Sequence, residues 1–260
     1  MNKLEWLIAF RYLGAQRKSL FVSLIGIFSL LGVSIGVFAL VVALAAVNGF
    51  EEEVTAQMIG KDAHVDVLSY DGEPFGAYEE LISEVKKADS TVVAVAPYLV
   101  YKMGISSRKV NDGVVIYGID PERSKQVVDI HQKIRWGHYS VDSLPDMGGT
   151  LRPGVILGIG LANRLRVVVG DKIVLQTFQS PDAMLASGGP KMMQAVVSGI
   201  FETGMYEYDA NLVYVGIPEM QKLLGIGDKV TGLQIRVKDF WKASETVTKL
   251  SESLSVSYYA

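Results

Sequence analysis

From Leu20 to Val47 the chain reads LFVSLIGIFSLLGVSIGVFALVVALAAV, twenty-eight positions without Asp, Glu, Lys, Arg or His. A hydrocarbon layer about 30 Å thick is crossed by roughly 20 helical residues. The run therefore predicts a membrane-spanning helix with length to spare for tilt. A cleaved secretory signal is the competing reading, because cations precede the run and Ala43-Leu44-Ala45 imitates a small-x-small cleavage site. A signal's apolar region of about 7 to 15 residues is shorter than this one, which favours an uncleaved signal anchor. Lys3, Arg11, Arg17 and Lys18 lie before the helix and Glu51, Glu52 and Glu53 after it. Counting cations, the N-terminus is expected in the cytoplasm and everything after Asn48 outside it. Gly32 and Gly36 form GxxxG, and Ala39 and Ala43 continue the same face, a stripe that a second helix can approach closely.

Before the helix, Met1 to Ser19 mixes Trp6, Phe10 and Tyr12 with aliphatic and cationic residues. That pattern fits a short helix at the membrane surface and equally a plain basic flank. After it, Phe50, Val54 and Met58 recur at steps of four, so the helix is expected to continue outward as a stalk. His64–Leu68 alternates as a strand, Tyr78–Ala88 is an amphipathic helix, and Thr91–Val95, Tyr98–Ile105 and Gly113–Ile119 read as strands, Pro97 marking an edge or a break. From Pro121 the pattern loosens, with a short helix at PERSKQVV and turn formers through Trp136–Thr150. Gly154–Leu157 is strand-like, Ile159–Leu165 helix-like, and IVLQTF pairs with MQAVVSGIF across the interruption QSPDAMLASGGPK, Gln179 to Lys191, which then projects as a hairpin tip. Asn211–Val215 and Gly232–Val237 are further strands, and Pro218–Leu224 and Phe240–Leu254 helices. The closing pattern repeats the opening one, so a first α/β subdomain is expected to be split by a β-rich insertion. The fold class is α+β.

Composition narrows the chemistry. A net charge of −3 gives no electrostatic footprint for nucleic acid. With no cysteine there is neither a disulfide framework nor a thiolate nucleophile or metal ligand. GVILGIGLAN approaches the dinucleotide fingerprint through Gly158, Gly160 and Asn163, but the third glycine is missing and no acidic residue sits about 20 residues on at the end of a second strand. A tight turn with close helix packing is the better reading. His64, His131 and His138 stand in no HExxH or carboxylate cluster, and there is no GxSxG, SxxK or P-loop. No metal site and no catalytic constellation is expected, and a membrane-anchored periplasmic enzyme acting through one of the histidines is disfavoured. In the projecting loop, Phe178, Met184, Leu185, Met192 and Met193 are interspersed with Pro181 and Pro190. Methionine adapts to varied partners and proline limits the entropy lost on docking, which makes this loop the candidate binding element.

The opening RYLGAQRKSLFVSLIGIFSLLGVSIGVFALVVALAAVNGFEEE resembles the first transmembrane segment of permease subunits of the lipoprotein-releasing (Lol) ABC transporters, and APYLV, YGIDPE and VILGIGLANRLRVVVGDKIVL resemble their periplasmic segments. The resemblance implies an inner-membrane permease of the MacB-like class, whose periplasmic domain has a split α/β porter subdomain with an inserted β-rich sabre subdomain. On this chain the divisions are 1–19 cytoplasmic or interfacial, 20–47 transmembrane, 48–125 porter-like, 126–211 sabre-like with the loop 179–191, and 212–260 porter-like again. Such permeases work with a cytoplasmic ATPase subunit, which binds the ATP, and with a second permease subunit, identical or paralogous. They extract lipoproteins from the inner membrane and pass them to a soluble periplasmic carrier. In the family a hook loop of the sabre subdomain captures that carrier. By position the hook falls on the loop here, with Pro181, Asp182, Met184, Leu185, Pro190 and Met192 as its candidate contacts and Gly32, Gly36, Ala39 and Ala43 as the membrane packing face.

Family members carry three further membrane helices after this domain, whereas the sequence stops at Ser257-Tyr258-Tyr259-Ala260, so a fragment or an unusual short member is expected, unable to transport alone. The alternative reading within the same class is a MacB-like or FtsX-like permease that transmits ATPase strokes to an efflux adaptor or a cell-wall hydrolase.

Overall fold

The computed structural model describes Leu4, Leu7, Ile8, Arg11 and residues 20–59, 63–108, 110–146, 148–178, 190–254 and 257–260. Met1–Ser19, read as a surface helix or equally as a plain basic flank, lies largely outside the described residues. Helix α1, Leu20–Ile59, is unbroken over 40 residues, so the apolar run and the segment after it form one helix. Within it, Leu24–Phe50 is long and apolar enough to cross a membrane. The chain divides into two units, Met1–Gln57 and Met58–Ala260.

In the second unit the described strands are β1 Val65–Ser69, β2 Val92–Ser106, β3 Asn111–Ile119, β4 Ile134–Gly137, β5 Ser143–Pro145, β6 Leu151–Gly158, β7 Lys172–Thr177, β8 Met192–Phe201, β9 Leu212–Gly216, β10 Gly232–Val237 and β11 Tyr258–Tyr259. The helices are α2 Tyr78–Ala88, α3 Pro121–Val127, α4 Ile159–Leu165, α5 Tyr206–Asn211, α6 Ile217–Leu224 and α7 Ala243–Ser253. The sheet runs β11-β1-β10-β2-β3-β9-β6-β8-β4, with β5 on β6 and β7 on both β2 and β8. β3–β9 and β6–β8 are parallel and the other pairs antiparallel.

Strand β2 is the spine. Its first half, Val92 to Tyr98, pairs with β10, and its second half pairs with β3 on one side and, over Met103–Ser106, with β7 on the other. Of the two readings of Pro97, an edge or a break, the edge holds and the break does not, so Thr91–Val95 and Tyr98–Ile105 run on as one strand. Pro97 pairs with Leu233 of β10, while the β3 ladder begins only at Tyr98, so at Pro97 the strand has no β3 partner to lose.

Two main cores flank this spine. Leu81, Ile82 and Val85 of α2 and Leu250 of α7 pack with Val65 and Val67 of β1 and Leu233 and Ile235 of β10, joining the early and late parts of the chain. Each fully buried aliphatic side chain of this kind contributes about 1.5 to 3 kcal/mol. The larger core gathers Leu99, Met103 and Ile116 with Leu157, Leu161, Leu175, Val197 and Met220. Between α2 and β2, Asp89 accepts hydrogen bonds from Thr91 N, Thr246 Oγ1 and Lys249 Nζ. These donors, the Thr91 amide first, hold its carboxyl down at about 2.

The turn-rich stretch contains two short strands, β4 and β5, that pattern alone does not show. It is organised by Asp146, whose carboxylate accepts from Gly148 N, Thr150 N, Arg152 Nε and Lys172 Nζ, with Arg152 holding its carboxyl furthest below the usual range. Helix α5, YEYDAN, is likewise absent from the sequence pattern.

Candidate functional site

The β7–β8 hairpin carries the candidate binding element. Ile173, Leu175 and Thr177 alternate inward along β7, as a half-buried strand requires. The register runs from Lys172 opposite Val196 to Gln176 opposite Met192. This is the pairing of IVLQTF with MQAVVSGIF expected from the sequence. Beyond the ladder, Thr177 N donates to Lys191 O at 3.0 Å, and Lys191 N donates to Thr177 Oγ1 at 3.2 Å. Thr177 and Lys191 thus form the neck at which the described hairpin ends.

Two large apolar side chains stand exposed beside that neck, Phe178 at 64% and Met192 at 61%. Met193 turns the other way and packs against the main core. A groove of about 700 Å³ runs alongside, lined by Lys191, Met192, Met193, Pro218, Lys222 and Leu223 among others. Of the candidate loop residues, Pro190 and Met192 are placed here, while Pro181, Asp182, Met184 and Leu185 lie outside the described residues. One feature of the neck has no signature in the loop sequence. Lys191 Nζ donates at 2.9 Å to Leu224 O at the end of α6, a partner 33 residues away.

Elsewhere, the glycine pair of GVILGIGLAN is structural. A Cβ at Gly158 would fall on the Asp209 carbonyl, and one at Gly160 would come within 3.0 Å of it, so both glycines let α4 approach α5. Asp209 is itself fixed by Thr203 N, Thr203 Oγ1 and Gly204 N. His64 accepts from Val237 N and meets Phe240 edge-on, His131 Nδ1 lies 3.3 Å from Val128 O, and His138 is exposed. Among the described residues no group of three or more His, Cys, Asp or Glu is placed to hold a metal ion. On α1, nothing lies within 4 Å of where a Cβ at Gly32 or Gly36 would stand, and Ala39 and Ala43 are exposed.

The sequence profile of the MacB-like periplasmic core domain matches residues 27–253. The chain belongs to this family. Among relatives of the MacB-like domain, it is 31% identical over 260 residues to the lipoprotein-releasing system transmembrane protein LolC of Xylella fastidiosa (strain Temecula1 / ATCC 700964), covering 99% of this chain and 60% of that protein. It is 30% identical over 245 residues to LolC of Neisseria meningitidis serogroup B, covering 92% of this chain and 55% of the relative. LolE of Haemophilus influenzae is 24% identical over 246 residues, with 91% and 55% covered. The chain thus spans somewhat more than half the length of these relatives. It combines a helix of membrane-spanning length with a MacB-like periplasmic core domain.

Proposed function

We propose that this chain is the N-terminal part of an inner-membrane ABC transporter permease that releases lipoproteins and hands them to a soluble periplasmic carrier. The observation that carries the reading is the 31% identity to a LolC protein along 99% of the chain. The β7–β8 loop is the carrier-docking element, supported by the apolar Phe178 and Met192 at its neck and by Pro181, Asp182, Met184, Leu185 and Pro190 in its sequence. ATP is bound and hydrolysed by a separate cytoplasmic subunit, and the chain needs no cofactor of its own. The N-terminus is cytoplasmic, following the cations before α1. Gly32, Gly36, Ala39 and Ala43 receive a helix of the second permease subunit.

Photocrosslinking from position Met184 in intact membranes tests this. A small soluble lipoprotein carrier in the adduct supports the reading. A trapped efflux adaptor or cell-wall hydrolase moves the chain to mechanotransmission, the second reading that MacB-like domain membership favours. No adduct at all returns the loop to an ordinary surface connection.

A further inference from the structure

The Met58–Ala260 unit exposes a tryptophan close to the point where the polypeptide enters it. Trp241 is 76% exposed and belongs to a 3₁₀ turn, Phe240–Lys242, just after β10. Such a turn has about three residues per revolution, so neighbouring side chains leave it in different directions. Phe240 turns inward, its ring edge-on to His64 at 5.4 Å, and Trp241 turns outward. The fold holds the turn that carries it: Asp239 Oδ1 accepts from Trp241 N at 3.1 Å, and the Phe240 ring backs the indole at 5.7 Å. Lys238 and Lys242 flank the tryptophan, both exposed and neither paired with a carboxylate among the described residues. Val93, 55% exposed, adds apolar surface at the bulge where β2 slips against the end of β10.

An outward indole between two free ammonium groups is the composition that a lipid interface takes up, the amphipathic ring at headgroup depth and the cations at the phosphates. The covalent chain keeps such an interface close. His64, which meets Phe240, lies five positions after Ile59 at the end of α1, a reach of at most about 18 Å. Beyond the membrane-crossing stretch Leu24–Phe50, residues 51–59 add only about 14 Å of helix. A contact too weak to form from free solution is populated when a tether holds its partner at high effective concentration.

We propose that the turn around Trp241 is a lipid contact, in which the indole enters the headgroup layer of the bilayer that α1 crosses and Lys238 and Lys242 meet its anionic phosphates. The inference depends on α1 crossing a bilayer and not on the carrier reading.

The chain has three tryptophans, so Trp6→Phe with Trp136→Phe leaves Trp241 as the only one. This full chain is reconstituted in phosphatidylethanolamine–phosphatidylglycerol vesicles that contain headgroup spin-labelled lipid, and quenching of its emission is measured. Trp6→Phe with Trp241→Phe is the control, since it keeps Trp136, which is 51% exposed on β4 at the opposite edge of the sheet. Trp241 is expected to be quenched well beyond Trp136. Adding Lys238→Gln and Lys242→Gln should lower the ratio of docked to undocked chains about fivefold for each lysine, with the melting temperature unchanged. Equal quenching of the two tryptophans, or quenching of Trp241 indifferent to the lysines, overturns the proposal. A Trp241 shielded from aqueous acrylamide yet untouched by the labelled lipid also overturns it, and assigns the turn to a protein partner or a second copy of the chain.

Discussion

Thr246 donates a 3.0 Å hydrogen bond from its hydroxyl to Oδ2 of Asp89, joining the late helix α7 to the corner where α2 gives way to β2. Both residues are buried, and the Thr91 amide and Lys249 complete the ring around the carboxylate. Since the folded chain binds the charged form of Asp89 more favourably than the unfolded chain does, its stabilisation is present above about pH 3.8 and is lost as the pH falls towards about 2. Asp89→Asn should lower the melting temperature at neutral pH by roughly 3 to 6 °C, for a loss of about 1.5 kcal/mol. The same variant should flatten the acid limb of the Tm profile between those two pH values. A parallel shift at every pH would remove the carboxylate from the explanation.

Gly158→Ala should destabilise the chain by about 1 to 3 kcal/mol, because the new Cβ meets a backbone carbonyl that has no rotamer to escape into. Chemical denaturation checks this. Gly113→Ala, with nothing within 4 Å of the added atom, is the control for the general cost of replacing glycine.

Replacing Pro181, Met184, Leu185 and Pro190 together by Ser should reduce carrier recovery in a pull-down about tenfold or more, since losing even 1.4 kcal/mol of contact energy has that effect. The melting temperature should not change, because the loop lies beyond the Thr177–Lys191 neck. Undiminished recovery would take the carrier site away from this loop.

Gly32→Ile with Gly36→Ile should lower co-purification of the second permease subunit from membranes while leaving the Met58–Ala260 unit folded, as read by circular dichroism. Full co-purification would reduce the stripe to ordinary membrane-helix composition.

Where one face of an element meets a core, the sequence shows it. The spacing of Tyr78, Leu81, Ile82 and Val85 predicts α2 with both its ends, Gly232–Val237 predicts β10, and Ile159–Leu165 predicts α4. The hairpin of the candidate site is legible for the same reason, two alternating runs around a polar interruption. What pattern does not show is structure imposed from far along the chain. β5 exists because Leu151–Pro153 lies beside it, α5 because Gly158 and Gly160 make space for it, and Lys191 finds its partner 33 residues on. Pro97 is legible as an edge or a break, and which of the two holds depends on which neighbouring strand reaches that position.

The unbroken run of β2 has a mechanical meaning. Its 15 residues extend about 50 Å. Its head is laced to β10, and its tail to β7, the strand that leads into the loop. A load taken up at the loop therefore enters the tail of β2 sideways, through ladder bonds that share it in shear, and travels to the Asp89 corner along covalent backbone. The two cores on either side are thus joined through one continuous strand.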